Sequence, residues 1–114
     1  MKELIDWSRI AELRDEIGPE DFDEVSDLFL TEVLGIIETI DEAVGKPALM
    51  EEQMHFLKGA ALNLGFSALS TICEKGEHAA ANGDAHAVSP AEIRACFAES
   101  SAQYEEQYPE RFAA

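Results

Sequence analysis

Basic residues are scarce in this sequence. Its 114 residues include 24 Asp and Glu against 8 Lys and Arg, which gives a formal net charge of −16 at pH 7. Nucleic acids and anionic membrane surfaces repel such a chain, because they carry dense negative charge themselves. The shortage of cations therefore argues against polyanion binding and favours proteins as partners.

Cysteines and long apolar runs are also few. The two cysteines, Cys73 and Cys96, lack CxxC spacing, and the N-terminal residues contain no apolar signal segment. No run approaches the roughly 20 apolar residues that span a bilayer. We therefore expect a cytoplasmic protein with reduced thiols. No metal or other cofactor is expected, because no His or Cys pair has zinc-ligand spacing, and His78 and His86 are interpreted as surface residues.

The length of the chain fits a single domain, residues 1–114, with one core and no room for a kinase module beside it. Gly and Pro divide it into helical segments, and no stretch alternates like a strand. We expect a short first helix that is capped by Asp6 or Ser8 and ends at Ile17. Three helices should follow, over about 20–44, 48–64 and 67–81. A last helix should begin at Pro90, with Ser89 as its cap. Short connections between four substantial helices predict an all-α fold, an up-and-down antiparallel four-helix bundle with a short additional N-terminal helix over one end.

The long second helix is amphipathic. Its apolar residues recur at the helical period and predict a buried face: Phe22, Val25, Leu28, Phe29, Val33, Ile36, Ile37 and Ile40. Carboxylates lie between them: Asp21, Asp23, Glu24, Asp27 and Glu32. We interpret these carboxylates as a solvated face. The alternative is that some of them contact a partner protein.

Residues 54–65 carry most of the functional information. If this stretch is helical, Lys58 and Gly59 lie one turn from His55. At about 100° per residue, His55 points away from the core-facing stripe of its own helix. That stripe consists of Met50, Met54, Leu57, Ala61 and Leu64.

This arrangement suits phosphoryl chemistry. A neutral imidazole is a nucleophile near neutral pH and can accept a phosphoryl group covalently. Lys58 is placed to stabilise the negative charge of the transferring group. Gly59 costs its helix about 1 kcal/mol relative to Ala, so clearance for a bulky partner would explain its presence. The alternative interpretation is a surface histidine, a solvated lysine and a glycine at a helix–helix contact.

The run His55-Phe56-Leu57-Lys58-Gly59, followed by Leu64-Gly65 and Cys73-Glu74, resembles the signature of the histidine-containing phosphotransfer (HPt) domain family. The resemblance covers nearly the whole chain. It implies that His55 is the phosphoacceptor, Lys58 its electrostatic support and Gly59 its clearance. The implied activity is that of a stoichiometric carrier without an ATP site, which takes a phosphoryl group from a receiver-domain aspartate or a hybrid sensor kinase and passes it to another receiver.

In some members of this family a polar side chain on the next helix hydrogen-bonds near the acceptor histidine. That place falls on Glu77, where Gln is the expected residue. An ionised Glu77 would repel a phosphohistidine, although beside free His55 it would orient the ring. Gly76, which interrupts the helical pattern just before it, has two open explanations, a close helix–helix approach or a weak spot.

A receiver domain that docks over His55 would also need apolar contacts. We expect these contact residues to be Leu62 and Phe66, with Ala48 or Leu49 at the start of the motif helix, in a monomeric protein. A hydrolase is not expected, because a solvent-facing stripe offers no water-excluding cleft. The remaining alternative is an acidic helical adaptor that binds a signalling partner through the same face without chemistry. An intact His-x-x-Lys-Gly core favours the carrier.

Overall fold

The computed structural model describes residues 3–112, which form five α helices, one 3₁₀ turn and no β strand. The elements are α1 (Trp7–Ile17), α2 (Pro19–Thr39), the 3₁₀ turn (Ile40–Ala43), α3 (Pro47–Leu64), α4 (Ser67–Ala81) and α5 (Pro90–Arg111). The prediction of an all-α fold is therefore confirmed for the described part of the chain. The up-and-down antiparallel order of the four longer helices stays a prediction.

Side-chain caps set two of the helix starts. The Asp6 carboxylate accepts hydrogen bonds from the backbone N–H groups of Ser8 and Arg9, at 3.1 and 3.3 Å, so Asp6 rather than Ser8 caps α1. Ser89 caps α5 through a capping box, in which its side chain and that of Glu92 each bond the other residue's backbone N–H. Both caps satisfy N–H groups that the first turn of a helix leaves without partners.

The end of the second helix differs from the prediction. α2 stops at Thr39, and the 3₁₀ turn follows in place of a continuous helix to residue 44. A 3₁₀ turn aligns residues three apart on one side, and Ile40 and Ala43 are both buried. The tighter turn thus directs both side chains into the core.

The core-facing stripe of α3 is confirmed, because Met50, Met54, Leu57, Ala61 and Leu64 are all buried. On α2 and the turn after it, the predicted buried face is confirmed for Phe22, Val33, Ile37 and Ile40, whereas Val25, Phe29 and Ile36 are half-buried and Leu28 is 61% exposed. The carboxylates of α2 listed above are exposed, as expected for a solvated face.

Gly65 ends α3 and fastens α1 to it. Its φ of 80° is a left-handed conformation that favours glycine. A Cβ at this position would lie 2.9 Å from both the Asp6 carbonyl oxygen and Ile10 Cγ1. The Gly65 carbonyl also accepts a 2.7 Å hydrogen bond from the Asp6 backbone N–H. The start of α1 is therefore held against the C-terminal end of α3.

Candidate functional site

The His55 side chain projects from the outer surface of α3. It is 71% exposed, whereas its neighbour Met54 and the next core residue, Leu57, have no exposed surface. The helical period accounts for this difference, because His55 lies on the face opposite the buried stripe. The ring is held by a helix whose opposite face is buried, and it is accessible to another protein.

The surface beside His55 is open at Gly59. A Cβ added to Gly59 would meet no atom within 4 Å outside its own helix turn and neighbours. The interpretation of Gly59 as a helix–helix contact is therefore wrong. Gly59 lines a shallow groove together with His55, Phe29 and Glu32 of α2, and Phe56. A side chain at position 59 would project into this groove and narrow the approach to the ring.

Glu77 on α4 joins His55 to Lys58. One carboxylate oxygen, Oε2, lies 2.6 Å from His55 Nδ1, and the other, Oε1, lies 2.5 Å from Lys58 Nζ. The Glu77 and Lys58 side chains are only 19% and 26% exposed, so this bridge lies beneath the more exposed imidazole. The family resemblance implied a position for Glu77 near the ring, and the structure brings all three groups together.

The bridge shifts the proton affinities of both charged partners. The hydrogen bond from Lys58 holds the pKa of Glu77 below its ordinary value, and His55 acts in the same direction while partial burial opposes both. The hydrogen bond to Glu77 raises the pKa of Lys58. Glu77 is therefore a carboxylate and Lys58 an ammonium group throughout the physiological pH range.

An ionised carboxylate defines which His55 nitrogen carries the proton. A carboxylate can only accept hydrogen bonds, so the 2.6 Å contact requires that Nδ1 donate. In the neutral imidazole, Nε2 then carries the lone pair. The arrangement presents Nε2 as the nucleophilic atom.

Gly76 explains how Glu77 reaches His55. A Cβ at Gly76 would lie 3.0 Å from the Met54 sulfur and 3.2 Å from its Cγ. Helix α4 thus passes close to α3 at Gly76 and Met54, and the next residue of each helix, Glu77 and His55, meets at the surface. Of the two explanations for Gly76, close helix approach is correct. The signal in the sequence was a helical glycine directly before a candidate site residue.

Comparison with known protein families supports the resemblance that the sequence carries. A family model described as "Hpt domain" matches residues 24–105. The chain belongs to the HPt domain family. The matched region contains all four residues of the arrangement at the imidazole, namely His55, Lys58, Gly59 and Glu77. No curated protein and no solved structure matches the chain significantly.

Membership in the HPt family implies phosphotransfer in two-component signalling, by a carrier rather than a classical enzyme. HPt domains interact with response-regulator receivers and with kinases. Among the described residues no helix has the length and hydrophobicity that crossing a bilayer requires. Residues 3–112 also contain no group of three or more His, Cys, Asp or Glu side chains that could hold a metal ion.

The expected contact residues of this HPt domain differ in their accessibility. Leu62 is 55% exposed, Ala48 is exposed and Leu49 is half-buried. Phe66 is 1% exposed, so its assignment to an exposed docking surface was wrong. The left-handed turn at Gly65 directs the chain inward, and the Phe66 ring packs against the rings of Phe97 and Tyr104 on α5.

Sequence reasoning missed one exposed aromatic residue. Phe56 is 48% exposed and lines the groove beside His55 and Gly59. Its position was available from the helical period, because Phe56 lies about 100° from Leu57 and about 200° from Met54, away from the buried stripe. A large apolar side chain so placed is a candidate for contact with a partner.

Proposed function

We propose that this protein is a phosphorelay intermediate that accepts a phosphoryl group on His55 and passes it to a receiver domain. The donor is the phosphoaspartate of another receiver domain, or a hybrid sensor kinase that carries one. The observation that supports this best is the exposed His55 ring beside the open surface of Gly59, with a carboxylate on Nδ1 that leaves Nε2 for the new bond.

The reaction requires a nucleophile held at the right position, His55, and a positive charge close to the phosphoryl group, Lys58. The Nε2 lone pair attacks the phosphorus of the aspartyl phosphate, the bond from phosphorus to the aspartate oxygen breaks, and the aspartate leaves as a carboxylate. In the second half, a receiver carboxylate attacks the same phosphorus and the Nε2 bond breaks. Lys58 can stabilise the charge on the phosphoryl oxygens in both halves, because an ammonium group has three donors and Glu77 occupies one.

We place the receiver over the groove that His55, Phe56 and Gly59 line, with Leu62, Ala48 and Leu49 as further contact residues. The apolar side chains would supply buried area around the reacting atoms, and Gly59 would let the partner approach the ring. In this proposal the carrier is a monomer, a single HPt domain, in which α2 to α5 form the up-and-down bundle.

The test is phosphoryl uptake from a panel of receiver domains that carry radiolabelled phosphate. We expect label on the wild-type protein that is stable in base and labile in acid, as phosphohistidine is. His55→Gln should take up no label. Its helicity should match that of wild type, and its free energy of unfolding should stay within about 0.5 kcal/mol of wild type, because the side chain is exposed. His78→Gln and His86→Gln serve as matched controls, since both residues are also exposed.

The adaptor hypothesis makes the opposite prediction. A protein that binds a partner through this face without chemistry would bind receivers and remain unlabelled. Label on His55→Gln equal to that on wild type would refute the assignment of the acceptor.

A further inference from the structure

A second surface of the protein is a groove between α2 and α5, which we call the α2/α5 groove. Its volume is about 650 Å³. It is lined by Asp27, Leu30, Thr31 and Leu34 of α2, by Phe97, Ser101, Tyr104 and Glu105 of α5, and by Phe66 just before α4. None of these residues lines either groove beside His55. The function proposed above therefore makes no use of the α2/α5 groove.

The two helices are joined beyond both ends of this groove. At one end, the Arg94 guanidinium of α5 donates hydrogen bonds to the Asp41 carboxylate and to the Ile37 carbonyl oxygen, at 2.6 and 3.0 Å. At the other end, the rings of Phe22 on α2 and Tyr108 on α5 stack with their centroids 5.7 Å apart. These contacts fix the separation of the two helices, so the groove belongs to the folded bundle and exists before any partner binds.

The lining of the groove is largely apolar, and part of it faces solvent. Leu34 is 44% exposed, and Leu30 and Phe97 are half-buried. The rings of Phe66 and Tyr104 lie deeper, 5.9 Å apart between centroids. Exposed apolar side chains that adjoin other apolar groups mark a surface for contact with a partner.

The shape of the groove suits a helix. On each wall the lining residues are three, four or seven to eight positions apart, which is the spacing of one helix face over two turns, about 10 Å. A groove of this kind receives a third helix, which inserts its own apolar residues at positions i, i+3 or i+4, and i+7.

Carboxylates lie on both rims of the groove. Asp27 of α2 and Glu105 of α5 are exposed, and neither belongs to an ion pair of the described residues. No Lys or Arg lines the groove. An occupant with basic residues beside its apolar face would complement these rims. A second copy of this chain would not, because its 24 acidic residues against 8 basic ones repel the same surface.

We propose that the α2/α5 groove is a docking site for a basic amphipathic helix of another protein. Apolar residues of that helix pack against Leu34, Leu30 and Phe97, and its Lys or Arg residues lie beside Asp27 and Glu105. The proposal does not depend on phosphoryl transfer. Because this groove and the grooves beside His55 share no residue, a partner bound here leaves the imidazole accessible.

The probe is a synthetic helical peptide about four turns long, with Leu at positions i, i+3, i+4 and i+7 and Lys on both flanks of that face. Two further peptides serve as controls, one with the same composition in scrambled order and one with Glu in place of Lys. Amide NMR of the isotope-labelled protein locates the binding and measures its Kd. We expect chemical-shift changes at Leu34, Phe97 and Ser101 and none at His55 or Gly59. Both control peptides should bind at least about tenfold more weakly.

Matched variants test the apolar contact. Leu34→Ser should weaken binding of the amphipathic peptide by about tenfold, because it removes the exposed apolar side chain of the groove. Leu28→Ser is the control, since Leu28 is 61% exposed on the same helix and lies outside the groove. This control should bind the peptide within about twofold of wild type. Thermal unfolding of each variant checks that the bundle is intact.

A second pair of variants tests the charges without touching the core. Asp27→Asn combined with Glu105→Gln should weaken binding by about fivefold at low ionic strength and by less at high ionic strength. Glu24→Gln combined with Glu38→Gln removes two exposed carboxylates of α2 outside the groove and should have a smaller effect.

Three results would overturn the proposal. The first is binding of the scrambled peptide as tight as that of the amphipathic one, which would reduce the interaction to net charge. The second is an equal loss of binding in Leu34→Ser and Leu28→Ser, or shift changes centred on His55. The third is a dimer of the wild-type protein in sedimentation analysis that is lost in Leu34→Ser, because the occupant would then be a second copy of this chain.

Discussion

Replacement of Gly59 by Gln should make the protein more stable and less active. The gain in stability requires room for the new side chain, and a Cβ at this position would meet no atom within 4 Å outside its own helix turn and neighbours. The helix loses the conformational cost of glycine, which is worth about 0.5 to 1 kcal/mol. For a domain of this size, that gain corresponds to a rise in Tm of about 2 to 5 °C.

The loss of activity follows from the same open space. The Gln side chain would occupy the groove one turn from His55, where the phosphorylated partner must approach the ring. Displacement of the reacting atoms by about 1 Å can reduce a transfer rate by about tenfold to a hundredfold. We expect both uptake and onward transfer to slow by this order, because both pass through the same geometry.

The assay pairs thermal unfolding with single-turnover transfer from a phosphorylated receiver. Gly35→Gln is the control, because Gly35 lies inside α2, its Cβ position is also open, and it lines neither groove beside His55. Gly35→Gln should match the gain in stability and transfer at the wild-type rate. Wild-type transfer by Gly59→Gln would refute the clearance argument.

Three further predictions concern charge and burial. Lys58→Ala should still be phosphorylated at His55, but about tenfold more slowly. Lys58→Arg should recover part of the lost rate, because the charge is kept while the shape of the donor changes. Equal single-turnover rates for wild type and Lys58→Ala at low salt would show that Lys58 does not support the transfer. Burial raises the pKa of Cys73 to about 12, and each pKa unit reduces the thiolate fraction tenfold. Alkylation of Cys73 in the native protein should therefore be more than about a hundredfold slower than alkylation of a free thiol. Mass spectrometry locates the alkylated residue. The thiol of Cys73 ionises at higher pH in the folded protein than in the unfolded chain, where its pKa has the ordinary value of 9.0. The free energy of unfolding should therefore fall as pH rises from 9.0 toward about 12. Rapid alkylation of the native protein would contradict the first of these two expectations, and a free energy of unfolding that stays constant over this pH range would contradict the second.

The orientation of His55 was predictable because a regular helix repeats every few residues. Once Met54 and Leu57 are assigned to the core, the helical period places His55 outside it. The open surface at Gly59 followed from the same reasoning. Boundaries were less predictable, since Ile40 fits the helical pattern of α2 but lies in the 3₁₀ turn that follows it.

Contacts between helices were beyond the reach of periodicity. The position of Glu77 against both His55 and Lys58 depends on how closely α4 approaches α3, and Gly76 against Met54 determines that distance. Phe66 was misassigned for a related reason. Its burial depends on the direction of the chain after Gly65 and on aromatic rings of α5, which are distant in sequence.

The most direct test of the central claim is a relay reaction with two receiver domains. One receiver carries radiolabelled phosphate, the second carries none, and the HPt protein is added in an amount well below either. We predict that label reaches the second receiver only when the wild-type protein is present, and that His55→Gln transfers none. Transfer between the receivers at the same rate with His55→Gln, or without the protein, would contradict the account.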